Sequence, residues 1–182
     1  MIAGMVHFVM ALTLLASSYG VSCKSGEHST SIKKDSTVLA GSESPFAINS
    51  KMPYYQVQLK STGEKRTGNK AFLVIDRPQI SGKHEGVYEL YLTTGPIGIV
   101  NLISSNHGFV NLLDLYPLMS DDTLPQLILN ITDKLNELSE PGKSIPPLYI
   151  TILFRGNKLS DGPELKLAGE LKVKAIKIVQ TN

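Results

Sequence analysis

The sequence predicts a mostly β fold, an antiparallel β-sandwich of about eight strands with one short helix. Three observations predict it. Apolar residues recur at every second position in several short runs, and turn-forming Gly, Ser and Asn clusters separate those runs at short spacing. Only one segment carries helix start and stop signals. At 182 residues the chain has room for one such domain.

At the start of the chain, Met1 to Cys23 contains no Lys, Arg, Asp or Glu, and Val6 to Leu15 (VHFVMALTLL) is an apolar run ended by Ala16, Ser17 and Ser18. That is the length of a signal-peptide core, whereas crossing a bilayer takes about 20 apolar residues. Cleavage is expected after Gly20 or Cys23, giving a leader over 1–23 and a secreted, extracellular product (in a plant, apoplastic). An uncleaved anchor is the alternative, because only the α-amino group and His7 lend the n-region charge. A lipoprotein with Cys23 lipidated fits worse, since Gly20 stands where Leu is expected. Lys24 to Lys51 is rich in Ser and Thr and poor in large apolar groups before Phe46. Lys24 to Thr37 is expected to be disordered because it cannot offset the entropy of ordering. The whole Ser/Thr-rich stretch 24–44 is taken as a disordered segment outside the domain, which is expected to run over 45–182.

Tyr55, Val57 and Leu59 alternate with Gln56, Gln58 and Lys60, the pattern of a half-buried strand. Lys60 to Lys70 reads as a polar loop, Ala71 to Ile75 as a buried strand and Ser81 to Gly86 as a turn. Tyr88, Leu90 and Leu92 alternate again. Pro96 to Ile103 and Phe109 to Leu115 are further strand candidates, split by a turn over Ser104 to Gly108. In Gln126 to Ile131, Leu127, Leu129 and Ile131 share one face. Thr132 is the expected N-cap of a short helix, with Asp133 near its positive end and Leu135 and Leu138 on one side; Pro141-Gly142 stops it. Leu148 to Phe154 is a strand and Arg155 to Pro163 a loop. Leu165, Leu167, Leu171, Val173 and Ala175 occupy odd positions before the pattern shifts to Ile176 and Ile178. A β-bulge near Ala175-Ile176 would produce that slip.

Composition narrows the chemistry. With 18 basic and 16 acidic residues the net charge is +2, which gives no electrostatic reason to expect nucleic acid. Cys23 is the only cysteine, so there is no internal disulfide, no CxxC pair and no cysteine-built zinc site. After the leader no run is apolar for long enough to span a membrane. His84 and His107 fall in expected loops and lack a third ligand. Asp121, Asp122 and Asp133 read as a turn and a helix start rather than a cation site. Ser104 and Ser105 beside His107 lack the strand–turn–helix elbow of a nucleophile. Lys166, Lys172, Lys174 and Lys177 read as a solvated strand face. The tyrosines, in a chain without Trp, read as core and rim rather than a sugar platform. No catalytic residue, cofactor or metal site is expected. Asn130-Ile131-Thr132 is the single N-glycosylation sequon, and Asn130 is the one candidate modification site.

From Pro45 onward the succession of segments resembles the C-terminal, KFDV-type domain of plant polyphenol oxidases. Tyr54 to Lys60, the basic loop after it and Ala71 to Asp76 resemble that family's opening hairpin. Val87 to Leu92 stands where the KFDV strand would be, with Tyr88, Glu89 and Leu90 replacing its letters. His107 to Asn111 resembles "GSFVN", Leu129 to Leu135 resembles "LGITELL", Leu148 to Arg155 resembles "VVVTLVPR", and Val173 to Ile178 the closing "VTIGGIKI". The resemblance covers about three quarters of the chain in one colinear order. In the family this domain packs over a two-copper site held by six histidines on a preceding helical bundle, and is associated with latency. Here only His7, His28, His84 and His107 exist, and no long helices are expected to carry such a site.

The resemblance therefore implies an accessory domain without its enzyme: a secreted, non-enzymatic interaction module with a protein partner, a separate oxidase among the candidates. A secreted carbohydrate-binding sandwich and a small enzyme with an unrecognised site are the alternatives.

Overall fold

Alternating side chains become paired strands in the computed structural model, which describes residues 35–67, 70–83, 86–101, 108–113, 125–156 and 168–181. The elements are β1 (Thr37–Ser42), β2 (Phe46–Ile48), β3 (Tyr54–Ser61), β4 (Lys70–Asp76), β5 (Gln79–Lys83), β6 (Gly86–Thr93), β7 (Phe109–Leu113), β8 (Gln126–Asn130), helix α1 (Thr132–Leu138), β9 (Leu148–Gly156), β10 (Ala168–Val173) and β11 (Ala175–Thr181). The fold is mostly β. Eight strands form one antiparallel sheet in the order β7-β6-β9-β3-β1-β11-β4-β8, and β2-β10-β5 form a second.

The expected period-two faces hold. Tyr55, Val57 and Leu59 on β3 turn toward the same core as Tyr88, Leu90 and Leu92 on β6, Ile150 and Ile152 on β9, and Leu127 and Leu129 on β8. Strands from both ends of the large sheet thus contribute to one apolar cluster, so the sheet curls around its core. Burying each such side chain contributes about 1.5–3 kcal/mol. Leu135 of α1 is fully buried in this cluster, and Leu138 packs against it.

The small sheet explains why eleven strands appear among the described residues where about eight were expected. Its order, β2-β10-β5, repeats that of β1-β11-β4, the strands that precede or follow its members in the chain. Three neighbouring strands of the large sheet therefore turn a corner together and continue as the small one, the way sandwich sheets exchange strands. At the corner Arg77 adopts φ 44°, and the Lys174 N–H donates to the Asp76 carbonyl at 3.1 Å. Phe46 of β2 stacks on Tyr55 of β3 with ring centroids 3.8 Å apart, tying the two sheets together.

Several expectations are corrected. The phase slip at Ala175-Ile176 is not a bulge within one ladder. β10 pairs with β2 and β5, a bend at Lys174 follows, and β11 pairs with β1 and β4. Ser81 to Lys83 are strand, not turn, because they pair with Ala168 to Glu170. Within the stretch 24–44, read as disordered, Thr37–Ser42 is β1, with Leu39 and Ala40 buried in the core. The ordered domain therefore begins ahead of Pro45. Pro96 to Asn101 is no strand: it crosses the outer face of the sheet and ends in a helical turn. Thr132 is the first helical residue rather than the N-cap, a position that Ile131 takes without a side-chain hydrogen bond.

Candidate functional site

Strand registers bring one set of polar and aromatic side chains together on the outside of the large sheet. Leu153 of β9 lies opposite Tyr54 of β3 and Glu89 of β6, and Glu89 lies opposite Leu112 of β7. The next row on the same face runs Gln56, Thr151, Tyr91, Phe109. Glu89 occupies the centre. Its Oε2 accepts from the Tyr91 hydroxyl at 2.6 Å and from Arg155 Nε at 2.8 Å. Burial, reinforced by the Glu89 carboxylate, pushes the Tyr91 phenol up to about 12. Arg155 is held above the usual guanidinium value, chiefly by its hydrogen bond to Glu89.

The segment after β6 covers part of this network. Ile97 and Ile99 pack against Tyr91 and Leu153 as a second apolar cluster. Gln56 Nε2 pins it by donating to the Ile97 carbonyl at 3.1 Å and to Thr151 Oγ1 at 2.8 Å. Thr93 Oγ1 donates to the Gly95 carbonyl at 2.7 Å. What the strap leaves open is apolar: Tyr54 is 41% exposed, Phe109 37%, Leu112 48% and Val100, on the strap itself, 78%. Phe109 meets Tyr91 edge-on with centroids 5.8 Å apart. The arrangement offers a firm face with aromatic and aliphatic contacts around a partly buried carboxylate–guanidinium pair. It has the composition of a recognition surface, in which Tyr, Phe and Arg are enriched.

A shallow concavity of about 540 Å³ lies at the sheet corner, lined by Pro45, Phe46, Arg77, Lys172 and Lys174 among others. Lys172 is engaged by Glu170 at 3.1 Å, and the adjoining Lys177 by Glu43 and Asp76. Lys172 and Lys177 are thus balanced locally.

The candidate residues named from the sequence scatter over the molecule. Asn130 is exposed at the end of β8. Lys172 is exposed on β10 and Lys174 in the bend after it, whereas Lys177 on β11 is partly buried beside Glu43 and Asp76, so they do not form one strand face; Asp133 is exposed in the first turn of α1. Tyr55 and Tyr88 serve the core, Tyr54 and Tyr91 the outer face. The leader, with His7 and Cys23, and the residues His28, His84, Ser104, Ser105, His107, Tyr116, Asp121, Asp122 and Lys166 lie outside the described residues. Among the described residues no three His, Cys, Asp or Glu come together in a way that could hold a metal ion, and no helix is long and apolar enough to cross a membrane.

Sequence reasoning missed the Glu89–Tyr91–Arg155 network. Its one signal was that Glu89 and Tyr91 share the face opposite to Tyr88, Leu90 and Leu92; the third member comes from a strand 66 positions away. Comparison with protein-family models and with curated proteins finds no match.

Proposed function

We propose that this chain is a secreted, non-enzymatic interaction module, related to the accessory C-terminal domain of polyphenol oxidases, whose outer β3-β9-β6-β7 face takes a protein partner. One observation carries the reading: Tyr54, Phe109, Leu112 and Val100 stay open to solvent on the face that holds a carboxylate–guanidinium pair between adjacent strands, with the strap packed on the neighbouring Tyr91 and Leu153. Exposed apolar groups gathered around ordered polar ones favour contact with another macromolecule. A partner would cover the four apolar side chains and meet Glu89 and Arg155 already oriented, which lowers the entropy cost of binding. A separate oxidase is the partner that the resemblance favours.

The enzyme alternative is tested with the purified mature chain by elemental analysis and oxygen uptake on a diphenol, with and without added copper. No turnover and no stoichiometric copper are expected. Copper binding with turnover that disappears in a His84→Ala, His107→Ala double variant would make the chain an enzyme and overturn the proposal.

A further inference from the structure

The sequon Asn130-Ile131-Thr132 sits where β8 hands over to α1, and its hydrogen bonds separate the two ends of the Asn130 amide. Oδ1 accepts from the Thr132 backbone N–H at 3.0 Å and from Thr132 Oγ1 at 2.7 Å. A backbone N–H can only donate, so the atom facing it must be the oxygen, and Nδ2 points elsewhere. Among the described residues Nδ2 has no hydrogen-bond partner, and the side chain is exposed. Its outward neighbour two residues back, Ile128, is buried. The cover over that face of β8 therefore ends before Asn130.

We propose that Asn130 carries an N-linked glycan in the mature protein, an inference that rests on the secreted reading above. In the transfer, Nδ2 forms a bond to the anomeric carbon of a lipid-linked oligosaccharyl diphosphate. The anomeric carbon–oxygen bond breaks, the lipid diphosphate leaves with its electron pair, and the amide gives up one of its two protons. The product keeps Oδ1 as an acceptor, so both hydrogen bonds to Thr132 survive the modification. The Thr132 hydroxyl also accepts the Ala71 N–H at 3.0 Å, and Ala71 stands at the start of β4, next to β8. The same hydrogen bonds at the handover from strand to helix can thus form with the glycan attached. β8 ends the described sheet with β4 as its one partner, and a bulky polar group there discourages pairing with another chain.

The test is translation of the full chain, with its own leader, into microsomes, followed by protease protection and by glycosidase treatment. The expected result is a protected chain whose mass falls on deglycosylation, with no such fall in Asn130→Gln and an unchanged one in Thr132→Ser. A protected chain that shows no fall, or a fall that persists in Asn130→Gln, overturns the glycan alone. A chain left outside the vesicles overturns the secreted reading and the glycan together.

Discussion

Glu89 receives two donors from two different strands, and it is the residue whose loss should be felt furthest on the outer face. Replacing it with Gln keeps the shape but withdraws the charge that Arg155 Nε and the Tyr91 hydroxyl share at 2.8 and 2.6 Å. Hydrogen bonds to charged groups contribute about 1.5–3 kcal/mol each, and much of that should disappear. Urea unfolding of Glu89→Gln is expected to show a loss of about 1–3 kcal/mol, and no measurable loss would contradict the shared-acceptor geometry. The same network makes a pH prediction. The Tyr91 phenol lies at about 12 in the fold, above its ordinary value of about 10 in an unfolded chain. Its contribution is therefore complete below pH of about 10 and is lost as pH rises toward 12. Burial raises Tyr88 as well, in the same sense. Alkaline unfolding should fall in that window, and phenolate absorbance should appear at lower pH in Glu89→Gln.

Arg66 shows a different use of a buried cation. It is 2% exposed, and Nη1 donates to the Ser139 carbonyl at 2.9 Å, just past the end of α1, while Nη2 donates to Asn136. Burial lowers its pKa. It satisfies a carbonyl at the C-terminal end of the helix, where a positive charge is favoured. Arg66→Ala should cost about 2–4 kcal/mol in thermal or urea unfolding, through a lost clamp and a cavity together. Arg66→Met, which keeps most of the volume, should recover part of that loss.

At the scale of elements, the turn into β7 depends on one glycine. Gly108 has φ 79°, and a Cβ there would meet the Leu92 carbonyl oxygen at 2.7 Å and Thr93 Cγ2 at 2.4 Å. Its own carbonyl accepts the Leu92 N–H at 2.8 Å, so backing away would break a ladder bond. Gly108→Ala should destabilise by more than about 1–2 kcal/mol, the cost of a left-handed residue alone. Gly142→Ala, with φ 84° and open space around it, should cost only that conformational term. Equal losses at the two sites would contradict the close approach at β7.

The elements also show which parts of the fold the sequence carried. β3, β6 and β8 were legible because apolar residues recur at every second position, and β4 and β9 because each is a short apolar run buried on both faces. β1 was not, since Leu39 and Ala40 are adjacent and a register shift between Val38 and Ala40 removes the alternation. β5 was hidden by Gly82, whose φ of 79° made QISGK resemble a turn although β10 supplies its partner. The apolar run over Pro96 to Ile103 resembled a strand, yet Ile97 and Ile99 bury themselves against the face of the sheet rather than within it. Arg66 sits in a loop that reads as purely polar. Its burial depends on a helix some 70 positions later, which no local pattern could show.

For the whole molecule, the corner at Arg77 and Lys174 lets three adjacent strands serve two sheets, so the core is enclosed from two sides, while among the described residues the strap alone covers part of the outer β3-β9-β6-β7 face. On the proposed reading, the inside serves stability and the outer face recognition. The most direct measurement is capture of a partner from the extracellular fluid of the source tissue by the immobilised mature domain, compared across folded surface variants. Tyr54→Ser with Leu112→Ser alters the outer face, and Val38→Ser alters an exposed apolar side chain on β1 outside the patch. The proposal predicts one saturable partner bound equally by the native chain and Val38→Ser, and lost in the Tyr54→Ser, Leu112→Ser variant. Equal capture by all three, or none by the native domain, would contradict it.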